Sequence, residues 1–171
     1  VHISFDHHSS EVERAGSDKQ DNHIIDANAK SAARVVYDYF GGAEKFPNVS
    51  EDMMDAVDKA DSAGFTREDI MDPQGWELLS FIMDARTGLG RFREFNISNY
   101  QLMMTLIDEC REKQDIAEIL EMPDVKERVE LFRSHLPKFK EQIERCSSIR
   151  GNVILLDLRK EETIFAGNRF M

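Results

Sequence analysis

The 171 residues suffice for one ordinary domain, or one and a fraction, and their net charge of −11 (22 Lys and Arg against 33 Asp and Glu) lacks the basic face that a large, sequence-independent nucleic-acid footprint needs. A small phosphorylated substrate stays compatible with that charge, because bound divalent cations invert the local field. The two cysteines, Cys110 and Cys146, show neither metal nor redox spacing and fit a reducing cytoplasm better than a disulfide framework; among these residues no signal peptide is visible and no apolar run approaches membrane length.

The chain opens without an initiator Met on the apolar run Val1-His2-Ile3-Ser4-Phe5, which predicts a buried strand ending near Asp6. A strand with nothing before it leads us to expect that part of the protein lies upstream. The polar stretch from Ser9 to Asn22, with Gly16, Ser17 and Asp18, predicts an exposed loop. Ser31 is placed to cap a helix whose stripe is Ala32, Val35, Val36, Tyr39 and Phe40, ended by Gly41-Gly42. Ser50, followed by Glu51 and Asp52, opens another helix carrying Met53, Met54, Val57 and Ala60 and reaching Asp61. A loop follows through Thr66.

Asp72-Pro73 predicts a helix start, with Trp76, Leu78, Leu79, Phe81, Ile82 and Met83 apolar nearly all round and therefore buried. Arg86-Thr87-Gly88-Leu89-Gly90-Arg91-Phe92-Arg93 reads as a glycine-containing basic loop. A helix opening near Ser98 carries Tyr100, Met103, Met104 and Ile107, and Trp76, Met103 and Met104 are expected in the core. From Asp124 to about Cys146, Val125, Val129, Phe132, Leu136, Phe139, Ile143 and Cys146 recur at alternating spacings of 4 and 3, a heptad-like seam that Pro137 is expected to kink or split. That seam suits a connector helix packed on its own domain, or an oligomer interface. Val153–Leu156 and Thr163–Ala166 are expected to pair as strands across a turn at Arg159–Glu162.

Asp6-His7-His8 carries the chemistry. Adjacent strand residues point to opposite faces, so the two imidazoles converge on one site only where the strand ends and the chain turns. Imidazole and carboxylate are ligand types for Mn²⁺, Zn²⁺ or Fe²⁺, and a carboxylate beside a ligating histidine fixes its tautomer. A solvent-exposed polar strand end explains the tripeptide too, and is the commoner origin of so short a motif. Asp61, at a helix end before Ser62-Ala63-Gly64-Phe65, could turn toward the same site while Phe65 anchors the loop. It could equally do no more than end the helix, and Asp58 could serve instead. Arg86, Arg91 and Arg93 suit bidentate phosphate contact, although pairing with the chain's many acids is the commoner role. His23 near Asp26 could be a further ligand or a surface pair, and His135 reads as structural.

Taken together, Asp6-His7-His8, the Asp61-Ser62-Ala63-Gly64-Phe65 loop and the helix start Ser31-Ala32-Ala33 with Tyr37 resemble the DHH phosphoesterase superfamily, closest to its bacterial exopolyphosphatase-related and oligoribonuclease-like members. The second motif departs from the family's Asp-Thr-Gly pattern, with Ser for Thr and one residue inserted before Gly. The resemblance implies an α/β fold: the end of a parallel-sheet domain rich in helices over 1–112, a helical connector over 113–148, and the first strands of a second α/β substrate domain over 149–171. It implies two Mn²⁺ ions, replaceable by Mg²⁺ or Co²⁺, with His7 a ligand and Asp61 a bridging ligand. His8 would meet the phosphoryl oxygen or polarise the leaving side, Asp6 would hold His7, and Arg86 and Arg91 would contact substrate. The implied reaction is cleavage of a phosphoester or phosphoanhydride in a short oligonucleotide, pAp, a cyclic dinucleotide or polyphosphate, by two-metal activation of water.

The implied setting is the bacterial cytoplasm, off the membrane and off long nucleic acid, with a homodimer as the candidate assembly. The family's Asp-x-Asp motif, a further upstream Asp and the C-terminal Gly- and His-rich motif have no counterpart among these residues, so this segment alone is expected to be inactive. Two other readings stay open: a non-catalytic nucleotide sensor on the same fold, and a helical interaction domain whose histidines are incidental, which Mn²⁺ would not stabilise.

Overall fold

The computed structural model describes residues 2–16, 21–87, 89, 94–112 and 115–170. Two compact units divide the chain, Val1–Thr66 and Arg67–Met171. Helices and a parallel strand pair together make the fold α/β, as expected.

In the first unit β1 (Ser4–Asp6) and β2 (His23–Ile25) pair in parallel, Ser4 with His23 and Asp6 with Ile25. Parallel pairing requires a crossover, and α1 (Ser9–Ala15) lies in it, so the expected loop over 9–22 is in part a helix. The apolar signal is weak because α1 buries no residue; a local Arg14–Glu11 ion pair at 2.6 Å spans one turn instead. Ser17 and Asp18 lie outside the described residues. The opening strand starts only at Ser4 and is half-buried rather than buried.

Ser31 caps α2 (Ala32–Tyr39), its Oγ accepting from the Arg34 N–H at 3.0 Å. Ser50 caps α3 (Glu51–Ser62) in the same way, accepting from the Met53 N–H at 3.2 Å. Val35 and Tyr37 of α2 and Met54, Ala56 and Asp58 of α3 are buried. Phe5 meets Tyr39 and Phe40 at centroid distances of 5.1 and 5.8 Å. The α3 helix runs one residue past Asp61 and ends on Ala63 in the left-handed region at φ 56°, where the Gly64 N–H reaches back to the Lys59 carbonyl. Asp61 therefore sits in the last helical turn, not in the loop.

The second unit holds α4 (Arg67–Met71), α5 (Gly75–Met83), α6 (Asn99–Glu112), α7 (Ile116–Leu120), α8 (Pro123–Cys146) and an antiparallel hairpin of β3 (Ser147–Arg150) and β4 (Val153–Leu156). The α5 helix starts after Gln74 rather than at Pro73, because Gly75 turns through a left-handed φ of 52°. Its Leu78, Leu79, Phe81 and Ile82 are buried as expected, and it packs on α7 and α8, while Trp76 is half-buried. In α6 the buried residues are Leu102 and Leu106; the expected stripe of Tyr100, Met103, Met104 and Ile107 is exposed, so neither methionine is core.

The α8 helix is continuous through Pro137. Buried Val125, Val129, Phe132 and Leu136 hold the seam against the unit's own core. Lys140 Nζ donates to the Met71 carbonyl at 2.5 Å and Gln142 Nε2 to the Glu162 carbonyl at 3.0 Å, tying down the turns beyond the proline. Such packing outweighs one missing helical hydrogen bond. The hairpin departs from expectation: Val153–Leu156 pairs with Ser147–Arg150, and Thr163–Ala166 forms no strand. Gly151-Asn152, with Gly151 at φ 61°, is the two-residue turn that such pairing favours.

Candidate functional site

Asp6 closes β1, and the chain turns into α1 immediately afterwards, with His8 as the residue before the helix. The Asp6 Oδ1 accepts from the backbone N–H of His7 at 2.7 Å and of His8 at 2.8 Å, and lies 2.7 Å from His8 Nδ1. The carboxylate thus orients the ring of His8, not that of His7 as expected. Residues two apart on an extended chain share a side, which places Asp6 with His8. The His8 backbone N–H and ring hold the Asp6 carboxyl down at about 2, and the same side-chain bond raises the imidazole of His8.

His7 reaches in the other direction. Its Nε2 lies 3.1 Å from Asp61 Oδ2, with the imidazole largely buried and the carboxylate half-exposed. The structure separates Asp61 from its neighbour on the same helix. Asp58 is buried, accepting from Ser31 Oγ at 2.6 Å and from Arg34 Nε at 3.0 Å, and Arg34 also reaches Glu51 and Asp55. Asp58 is therefore a structural acid joining α2 to α3, and Asp61 is the one that meets the histidine. Asp58 and Asp61 lie three apart, near enough to share a helix side, so spacing alone does not tell them apart.

An imidazole nitrogen and a carboxylate oxygen converging from two distant parts of the chain are a donor set that suits Mn²⁺ or Zn²⁺, and the largely buried ring with a half-exposed carboxylate gives an ion access from one side. The residues present fit the metal that the motif implies. His8 adds an exposed, carboxylate-oriented imidazole beside them, with the two rings 4.3 Å apart.

Of the remaining candidates, Arg86 is exposed and its Nε donates to Asp84 Oδ1 at 2.8 Å; Asp84 Oδ2 takes Arg169 at 2.9 Å. That is the acid pairing anticipated for an arginine in an acidic chain. Arg91 and Arg93 lie outside the described residues. Asp26 turns its carboxylate to the Asn28 N–H at 2.9 Å, capping the turn after β2. Phe65 is half-buried. Glu11 joins Asp6 and His23 in space, although no local spacing marks it; the signal lies in its place in the first helical turn after a strand that ends in a carboxylate.

No family model and no curated protein matches the chain. Among solved structures, PggH from Vibrio cholerae, a pGpG-specific phosphodiesterase, is similar at 56% sequence identity and a TM-score of 0.84. The match covers 98% of this chain, which spans about half, 52%, of that protein. No helix among the described residues is long and apolar enough to cross a membrane.

Proposed function

We propose that this chain is part of a metal-dependent phosphohydrolase of the DHH type that cleaves a small phosphorylated dinucleotide of the pGpG kind. The observation that carries the reading is the approach of His7 to Asp61 within 3.1 Å. These are the two residues that the motif pattern singles out as ligands, and they come from a strand end and a helix end far apart in sequence. Similarity to a phosphodiesterase at 56% identity supports phosphodiester chemistry and favours a dinucleotide over polyphosphate.

In this reading His7 and Asp61 hold the divalent cation, Mn²⁺ for preference. Bound ions supply charge neutralisation at the phosphate and a water of lowered pKa. His8 does the chain's own work on substrate. With Nδ1 turned to Asp6, its Nε2 is the nitrogen directed outward, and the raised imidazole presents an N–H to an anionic phosphoryl oxygen. Asp6 keeps that ring in one tautomer and orientation. Overall, water adds across the phosphodiester P–O bond and two mononucleotides leave. Residues 1–112 would belong to the catalytic domain, 113–148 to the connector and 149–171 to the start of a substrate domain.

The test uses protein from the complete reading frame, assayed with Mn²⁺ for mononucleotide or phosphate release from pGpG, pAp, a cyclic dinucleotide and short polyphosphate. Turnover of pGpG that both Asp61→Asn and His7→Ala abolish is the expected result. Folded protein that turns over none of the four with Mn²⁺ present would overturn the enzyme reading in favour of a nucleotide sensor.

A further inference from the structure

A second group of ligand-type side chains lies near the motif, apart from the His7–Asp61 pair. Asp6 at the end of β1, Glu11 in the first turn of α1 and His23 at the start of β2 each present a ligand atom, and these atoms lie within 4.8 Å of one another. All three residues are half-buried. The parallel register brings them together: Ser4 pairs with His23 and Asp6 with Ile25, so alternate residues of both strands share a face, and α1 starts three residues after Asp6.

The donor atoms have room for another partner. All three of the hydrogen bonds described for the Asp6 carboxylate fall on Oδ1, which leaves Oδ2 for an ion. Glu11 uses Oε2 for Arg14, whose side chain is 77% exposed, and an ion pair that exposed is worth little. A cavity of about 310 Å³ opens beside the group, lined by His2, Ser4, Glu11, Arg14, Asn22 and His23. It has space for waters of hydration and offers His2 as a further imidazole.

We propose that Asp6, Glu11 and His23 form a divalent-cation site of their own, distinct from the one at His7 and Asp61. Two carboxylates and an imidazole are the donor set of Mn²⁺, Zn²⁺ or Fe²⁺. The ion also answers a structural need. The α1 helix has no fully buried residue. A cation bonded to all three elements staples them, and it steadies His8, which immediately precedes α1. The ion is therefore a positioning element, and substrate does not touch it.

The experiment is a count of bound ions on metal-stripped protein from the complete reading frame, titrated calorimetrically with Mn²⁺ and separately with Zn²⁺. Glu11→Gln and His23→Ala are each expected to bind one ion fewer per chain than the wild type, or that ion at least about tenfold more weakly. Asp61→Asn is expected to keep this ion, and Asp61→Asn with Glu11→Gln to lose it together with whatever Asp61 holds. Glu11 lies on a helix with no buried residue, so its amide variant is expected to fold, and melting in EDTA at the wild-type temperature checks that. Should Glu11→Gln and His23→Ala bind both metals with wild-type number and affinity, the site does not exist. Loss of ions only in Asp61→Asn would leave the proposed function standing and refute this site.

Discussion

His7 Nε2 lies 3.1 Å from Asp61 Oδ2, joining the end of β1 to the last turn of α3. If the pair holds an ion, its removal costs chemistry far more than stability. Even groups behind a metal ligand are worth about 10–100-fold, so Asp61→Asn and His7→Ala are each expected to reduce kcat/KM by more than about 100-fold. For Asp61→Asn, far-UV circular dichroism and the melting temperature in EDTA should stay near wild type, because Asp61 is half-exposed.

Asp58 is the counter-case on the same helix. Its side chain is 7% exposed and ties Ser31 Oγ to the Arg34 guanidinium. Breaking a buried, hydrogen-bonded pair by removing one partner costs about 3–5 kcal/mol. Asp58→Ala is therefore expected to shift the denaturant midpoint strongly downward, whereas Asp61→Ala should move it little. Equal midpoints for the two variants would refute the division of roles.

The Asp6–His8 bond sets a pH window. The imidazole of His8 is raised by its hydrogen bond with Asp6, so this contribution to stability is complete below the ordinary histidine value and is lost as pH rises through the raised one. Asp6, lowered to about 2 chiefly by the His8 backbone N–H, contributes above the ordinary carboxyl value and loses that contribution as pH falls through about 2. An NMR titration of His8 in metal-free protein is expected to place its midpoint above that of an unperturbed histidine. In Asp6→Asn the midpoint should fall; an unchanged midpoint would mean the bond is not formed in solution.

Within α6 the buried side is Leu102 at 0% exposure, while Met103 and Met104 are 48% and 46% exposed. Leu102→Ala is expected to cost about 2–5 kcal/mol by opening a cavity. Met103→Gln with Met104→Gln should stay within about 1 kcal/mol in total, as surface changes do. Chemical denaturation of the three proteins decides the orientation of the helix.

Features set by neighbouring residues are legible in the sequence. The serines at 31 and 50 cap the helices they were expected to cap, because a cap is a bond between residues three apart and needs nothing distant. The apolar run of α5 is buried for the same kind of reason: residues apolar on every side have no solvent face to choose. Asp6-His7-His8 stood out because costly residue types follow an apolar run. The short β2 and α1 are not legible in the sequence, since three residues cannot show a period and α1 has no buried apolar stripe.

By itself the sequence determined the caps, the buried α5 and the histidine motif, all of which follow from contacts within a few residues, whereas the α/β class followed only from the family resemblance that the motifs carry. Only the tertiary structure decided that Asp61 rather than Asp58 meets His7, that α6 turns Leu102 inward and that α8 continues through Pro137. Each of those is a choice between locally equivalent options. The energy that settles it comes from side chains tens of residues away, as where Ser31 and Arg34 draw in Asp58.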